Sequence, residues 1–308
     1  MQEQITSEIL MIRPVSFTFN SQTADSNAFM NDIELADRLI QKKALEEFDD
    51  FVALLRLNDI NVNIFQDTAE PHKPDSIFPN NWVSFHHSGK VVLYPMEAEN
   101  RRLERRKDII EAIGEKYQIT EIIDLSKFED SGDFLEGTGS IILDRNKKIA
   151  YASLSTRTSK KVLEAWKKEM PNYELVTFTS SDKEGVPIYH TNVMMCIGSD
   201  FAVVCLEAIK DDEEKLRVQR SLENSGKMLI PISLNQVYSF AGNMLLIKNR
   251  KGVKYLCMSQ NAYNSLEPEQ INRLSEHTNI IYSDIATIEK VAGGSIRCMM
   301  AEIHLPVK

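Results

Sequence analysis

Short apolar runs come in pairs along this chain. Each pair opens on a small polar residue, passes through an apolar strand, turns on charged residues or glycine, and returns as a second apolar strand. Asn81-Trp-Val-Ser-Phe precedes Lys90-Val-Val-Leu-Tyr, and Gly139-Ser-Ile-Ile-Leu precedes Lys148-Ile-Ala-Tyr-Ala. Asn192-Val-Met-Met-Cys precedes Phe201-Ala-Val-Val-Cys-Leu, and Asn243-Met-Leu-Leu-Ile precedes Val253-Lys-Tyr-Leu-Cys. A fifth pattern opens at Ser295-Ile-Arg-Cys-Met-Met-Ala-Glu-Ile. The turns His87-Ser-Gly-Lys, Asp144-Arg-Asn-Lys, Gly198-Ser-Asp and Asn249-Arg-Lys-Gly have hairpin chemistry. The openings are spaced by 51 to 59 residues, three of the four intervals falling at 51 or 52, which reads as a repeat.

Helical periodicity fills the gaps. Arg101–Tyr117 places Leu103, Ile109, Ile110 and Ile113 on one face, and Ser159–Met170 places Val162, Leu163 and Trp166. Asp211–Ser225 and Pro268–Glu276 are further helices. A closing strand follows each, at Gln118–Leu125, Tyr173–Phe178, Lys227–Ile232 and Thr278–Tyr282. The unit is β-β-α-β and the class α/β. Five units around an axis close a ring and leave no sheet edge free. No Gly-, Ser- or Pro-rich linker divides the chain, so residues 1–308 read as one domain.

Composition narrows the function. A net charge of −9 opposes binding to phosphate backbones, and Arg101–Lys107 is the one short basic run, so no nucleic-acid partner is expected. No apolar run reaches a membrane-spanning length, and no basic-then-apolar leader opens the sequence. Cys196, Cys205, Cys257 and Cys298 form no CxxC or short-spaced framework, which fits free thiols in a reducing cytoplasm. No HxxxH, HxH or CxxC spacing calls for a metal.

Equivalent positions of different repeats meet near the axis of a ring, so the hairpin openings are where chemistry is expected. They hold Asn81, Glu136, His190 with Asn192, and Cys298: amides, a carboxylate, an acid/base and a nucleophile. Cys298 lies in Gly293-Gly-Ser-Ile-Arg-Cys, where two glycines permit close backbone approach. Glu136 lies among glycines in Glu136-Gly-Thr-Gly, which is not a dinucleotide fingerprint because no GxGxxG helix start follows. The other three cysteines read as packing residues. His72, His86, His87, His277 and His304 have weaker contexts than His190.

With these motifs in this order, the chain resembles the guanidine- and ureido-modifying pentein superfamily of five-bladed α/β propellers, which includes arginine deiminases, dimethylarginine hydrolases and amidinotransferases. Within it, the arginine-deiminase-related group associated with citrulline utilisation is the nearest likeness. The resemblance covers essentially the whole chain. It implies that Cys298 is the nucleophile, His190 the general acid/base and Glu136 its carboxylate partner. It also implies that Asp75, in Pro74-Asp75-Ser-Ile-Phe78, touches substrate. Arg157, in Ser155-Thr-Arg157-Thr158, would hold the substrate carboxylate, with Arg101 or Arg102 as a second arginine. Arginine-processing relatives grip the guanidinium with carboxylates where this chain has Asn81 and Asn192. An amide both donates and accepts, which suits a neutral ureido group.

The implied reaction is thiolate attack on the ureido carbon of citrulline or a similar amino acid through an S-carbamoyl intermediate, with no cofactor. Arg297 and protonated His190 are the cations placed to favour the thiolate. The alternatives are an arginine deiminase or amidinotransferase on a guanidino substrate, and a non-catalytic amino-acid binder. Monomer and homodimer both stay open.

Overall fold

A computed structural model describes residues 3–24, 26–30 and 36–308. Its strands form five sheets of three. β1 (Glu8–Arg13) leads through helix α1 (Asp37–Leu57) to a parallel partner, β2 (Asn61–Gln66). The hairpin β3 (Val83–Phe85)–β4 (Lys90–Leu93) leads through α2 (Lys107–Lys116) to β5 (Glu121–Asp124), parallel to β4. The same plan repeats with β6 (Ile142–Asp144), β7 (Ile149–Leu154), α3 (Lys160–Glu169) and β8 (Glu174–Thr179). It repeats with β9 (Met195–Ile197), β10 (Phe201–Val204), α4 (Asp212–Asn224) and β11 (Met228–Pro231). It repeats again with β12 (Leu245–Lys248), β13 (Lys254–Ser259), α5 (Pro268–Ser275) and β14 (Asn279–Ser283). Finally β15 (Ala301–Glu302) pairs antiparallel with β1, Ile9 opposite Glu302, and supplies the third strand of the first sheet. A parallel pair needs a crossover, and the helix in each unit is that crossover.

The helices form for local reasons. Ser159 precedes α3, whose Val162, Leu163 and Trp166 are fully buried. Asp211 caps α4 by accepting the Glu214 N–H at 2.8 Å. Pro268 opens α5 behind a Glu267/Gln270 capping box. Helix α1, which the repeat reading did not include, buries Ile40, Ala44, Phe48, Phe51, Val52 and Leu55 along one face.

Two sequence expectations change. The helix expected over Arg101–Tyr117 is broken: one turn spans Glu99–Arg102, and α2 begins only at Lys107. Arg101 and Glu104 both turn inward and bond each other at 2.9 and 3.0 Å, while Arg106 is extended and Leu103, expected on the buried face, is exposed. The strands also begin later than their opening residues. Asn81, Ser140 and Asn192 lie in helical turns, Pro79–Asn81, Gly137–Ser140 and Thr191–Met194, and Cys298 lies in a turn before β15.

Apolar clusters join neighbouring sheets. Leu10 and Ile12 of the first pack with Val83, Phe85 and Val91 of the second. Val92 of the second packs with Leu143, Ala150 and Ala152 of the third. A large cluster runs from Tyr151 through Val203 to Leu256, and Leu245, Ile247 and Cys257 pack back on Ile9 and Met11. The opening turns touch backbone to backbone, because a Cβ on Gly137 would fall on the Asn80 carbonyl and one on Gly242 on that of Val193. Among the described residues no helix is long and apolar enough to cross a membrane.

Candidate active site

The opening turns deliver the functional side chains. Glu136 stands just before the turn Gly137–Ser140, its N–H donating to Ser140 Oγ at 3.0 Å. Ser140 Oγ in turn donates to the Arg157 carbonyl at 2.8 Å, tying Glu136 to the segment that carries Arg157. His190 stands just before Thr191–Met194, whose Thr191 hydroxyl donates to the Ser140 carbonyl at 2.6 Å. Cys298 closes a turn on the Ser295 carbonyl at 2.9 Å, and Ser295 is braced by Glu289 at 2.7 Å.

These turns bring Glu136 Oε2 to 2.8 Å from His190 Nε2, both residues buried. Burial alone would raise the Glu136 carboxyl. Arg157 at 3.6 Å, the His190 bond and Arg101 at 3.8 Å outweigh it and hold the group well below the usual carboxylate range. Against an anionic Glu136, His190 Nε2 carries the proton and the other ring nitrogen keeps its lone pair. Burial lowers the His190 pKa although Glu136 opposes the shift, so the resting imidazole is neutral.

Cys298 is 5% exposed, and its Sγ receives two amide donors: Asn243 Nδ2 at 3.3 Å and Asn192 Nδ2 at 3.4 Å. Asn243 is fixed by donating also to the Asn192 carbonyl at 3.1 Å and by accepting the Arg297 N–H at 3.0 Å. Arg297, expected to favour the thiolate, instead spends its guanidinium on Glu302 at 2.8 Å and on the Met300 carbonyl. The remaining thiols are free and buried; burial pushes those of Cys196 and Cys205 up to about 12 and raises that of Cys257, which makes them inert.

Cys298, His190, Asp75, Asn81, Arg101 and Arg157 line one small cavity. Its free space is about 20 Å³, room for roughly one water molecule. Asn81 accepts Arg101 Nη2 at 3.1 Å through Oδ1 and leaves Nδ2 without a protein partner. Asp75 accepts Asn20 at 2.7 Å through Oδ2, lies 3.7 Å from Arg101, and leaves Oδ1 unpartnered. Burial raises its pKa against the pull of Arg101. Arg157 is held through Nε and Nη2 by Glu97 at 3.1 Å, by Ser26 Oγ at 2.6 Å and by the Thr23 carbonyl, while its Nη1 lies 3.6 Å from Glu136 and the guanidinium 4.7 Å from the Tyr189 ring centroid. It thereby ties the segment around Thr23 and Ser26 over the cavity.

Two expected substrate contacts lie elsewhere. Arg102 is not among the lining residues; its guanidinium donates to the Met96 and Glu97 carbonyls. Asn192 sits on the thiol rather than on the cavity wall, its Oδ1 unpartnered. Asn243 was not singled out as a site residue. Its signal was its place, opening the fourth hairpin as Asn81 and Asn192 open theirs.

Relatives bear on this geometry. The family model described as N,N dimethylarginine dimethylhydrolase, eukaryotic, matches residues 13–305. No curated protein matches by sequence. The product-bound N-terminal domain of ArgZ, an arginine dihydrolase of the cyanobacterial ornithine–ammonia cycle, superposes with a TM-score of 0.74 at 17% identity, covering 97% of this chain and 98% of that one. Unliganded AgrE gives 0.74 at 17% over 98% of this chain, which spans only 40% of AgrE. A dimethylarginine dimethylaminohydrolase variant, as its adduct with S-methyl-L-thiocitrulline, gives 0.65 at 16% over 97% and 100%. At these identities the structural likeness is one of fold, and the family match carries the assignment: the chain belongs to the dimethylarginine dimethylhydrolase family of the pentein superfamily of arginine-modifying hydrolases.

Proposed function

We propose that this chain is a cysteine-dependent hydrolase of citrulline or a similar ureido amino acid, built as a single catalytic domain whose five sheets stand as blades around one axis. The observation that carries the substrate choice is Asn81 on the cavity wall, a buried amide whose Nδ2 has no acceptor in the protein. The wall's guanidiniums are already matched by carboxylates, Arg101 by Glu104 and Arg157 by Glu97. A ureido oxygen can accept the free Asn81 N–H, whereas a guanidinium has donors only.

In this reading the Cys298 proton passes to the free nitrogen of His190 as sulfur attacks the ureido carbon. Glu136 stabilises the imidazolium through Nε2–H, and the amides of Asn192 and Asn243 stabilise the sulfur. The tetrahedral adduct breaks its bond to the δ-nitrogen, which takes the proton from His190 and leaves as ornithine. An S-carbamoyl enzyme remains. His190 then takes a proton from water, the hydroxide adds to the carbamoyl carbon, and sulfur leaves and recovers its proton. The carbamic acid released decomposes to ammonia and carbon dioxide. Asn81 Nδ2, without a protein acceptor, is available to the ureido oxygen. Arg157 or Arg101 holds the carboxylate and sets the reacting carbon against sulfur.

A guanidino substrate is the second reading. The unpartnered Asp75 Oδ1 on the wall favours it, since that oxygen can take a guanidinium N–H. Product analysis separates the two. Protein incubated with L-citrulline should release ornithine and ammonia and leave L-arginine unchanged; citrulline or ornithine formed from arginine selects the guanidino reading. Asp75→Asn should leave citrulline turnover within about tenfold of wild type, whereas loss of a charge-assisted bond to a guanidinium would cost about 100-fold. Cys298→Ala should abolish turnover of either substrate without unfolding the chain; an active variant removes the mechanism.

A further inference from the structure

A second cavity, of about 200 Å³, is lined by a different set of groups: Lys90, Arg145, Lys148, His86, His87 and Tyr173. It lies where the β3–β4 turn, the β6–β7 turn and the chain leaving α3 meet, and shares no lining residue with the Cys298 cavity. Three cations against one acid, Glu169, is an unusual wall in a chain of net charge −9.

Two of those cations lack a close acid. Lys90 is engaged, with Glu121 at 3.1 Å and the Glu169 carbonyl at 3.0 Å. Arg145 is 2% exposed, yet its ion pair with Glu302 is 3.8 Å long, because Glu302 makes its short contact with Arg297 at 2.8 Å. Lys148 has no carboxylate within 4.0 Å among the described residues, and its Nζ rests 4.9 Å from the Tyr173 ring centroid. Burial and the neighbouring Arg145 both lower the Lys148 pKa, so the two cations strain against each other.

His86 adds a buried donor. Trp166 Nε1 can only donate, and does so to the Tyr94 hydroxyl at 3.2 Å. Tyr94 then donates to Ser84 Oγ at 2.7 Å, and Ser84 to His86 Nε2 at 2.8 Å, which satisfies every hydroxyl in the chain. The His86 proton is therefore on Nδ1, which has no acceptor in the protein although the residue is only 2% exposed.

We propose that this cavity binds a small dianionic oxyanion, held by Arg145 and Lys148 beside the His86 Nδ1–H. Phosphate monoesters and dicarboxylates share that chemistry and fit the volume. Isothermal titration of the full chain at pH 7 and fixed ionic strength, with inorganic phosphate and separately with succinate, tests it. At least one should bind saturably, one per chain, at about millimolar Kd or tighter. Lys148→Asn, which retains a residue at ease in the left-handed backbone found there (φ 58°), should weaken that binding about tenfold or more and leave turnover unchanged. Arg145→Gln should abolish the binding, and Cys298→Ser should bind as wild type, which separates this cavity from the catalytic one. No saturable heat from either anion, or equal affinity in Lys148→Asn, overturns the proposal.

Discussion

Asn243→Asp tests how sulfur is activated. The substitution is isosteric, and its Oδ1 can still accept the Arg297 N–H now held at 3.0 Å. What changes is the atom 3.3 Å from Cys298 Sγ, which turns from an N–H donor into a carboxylate oxygen. Loss of a charge-assisted donor costs about 1.5–3 kcal/mol, or roughly 10- to 150-fold in rate. A carboxylate about 3.3 Å from a thiolate adds a repulsion of about 5 kcal/mol at an effective dielectric of 20, part of which the Asp relieves by taking a proton. A loss of about 100-fold or more in kcat is expected. The fold loses only the donor to the Asn192 carbonyl, about 1–3 kcal/mol, so melting should fall by several degrees and stay cooperative. Ornithine release from citrulline and from arginine measures turnover. Alkylation of Cys298 by iodoacetamide, read by mass spectrometry, measures the sulfur with no substrate involved, and it should slow in parallel. A folded Asn243→Asp protein with both rates within about threefold of wild type would refute the role given to the amides.

Further expected outcomes follow from the same geometry. Glu136→Gln should lower kcat by about 100-fold or more and move the acid limb of the pH–rate profile to lower pH, because the imidazolium loses its anion; an unmoved limb contradicts the pairing. A Cβ at residue 139 would fall on Asn81 Nδ2 and within 2.9 Å of His190 Nδ1, so Gly139→Ala should cost about tenfold or more in kcat, measured against an unchanged CD spectrum. Burial raises the Glu289 carboxyl from 4.5 to about 7. Its contribution to stability is therefore complete below pH 4.5, fades as pH rises and is gone above 7. Glu289→Gln, uncharged throughout, should match wild type near pH 4.5 and exceed it by about 3 kcal/mol at pH 8, as denaturant melts at the two pH values would register.

The hairpins were legible because each combines an apolar pair with turn residues that permit one geometry; Gly89, Lys148 and Gly252 take the left-handed backbone those turns require. The three core residues of α3 were legible from spacing alone. Helix α1 was missed for a different reason: its apolar face is regular, but it precedes the first hairpin opening, where the repeat gives no register. The break after Arg102 was not legible, because it depends on the Arg101 guanidinium finding Glu104 and Asn81 inside, a tertiary fact. Glu136, His190 and Cys298 stood out by their place at the hairpin openings, and the structure sets Glu136 against His190 and puts His190 and Cys298 on one cavity wall. Asn192 was read as a substrate contact because sequence order does not tell which face of a turn an amide presents; its Nδ2 instead points at sulfur.

The first sheet has a temporal consequence. Leu10 pairs with Ala301 and Ile9 with Glu302, so one small sheet joins segments nearly a whole chain apart. Cys298 lies just before that final strand, and Glu302 within it is what restrains Arg297. A ribosome delivers the two amides and the imidazole first, the thiol near the end of this segment, and the strand that seats it later still. The cavity that Cys298 and His190 line therefore stays incomplete until the last strand of this segment has been made and has met the first. Closing so long a loop is slow, which makes assembly of the first sheet the natural last step in folding this segment and couples completion of the cavity to it.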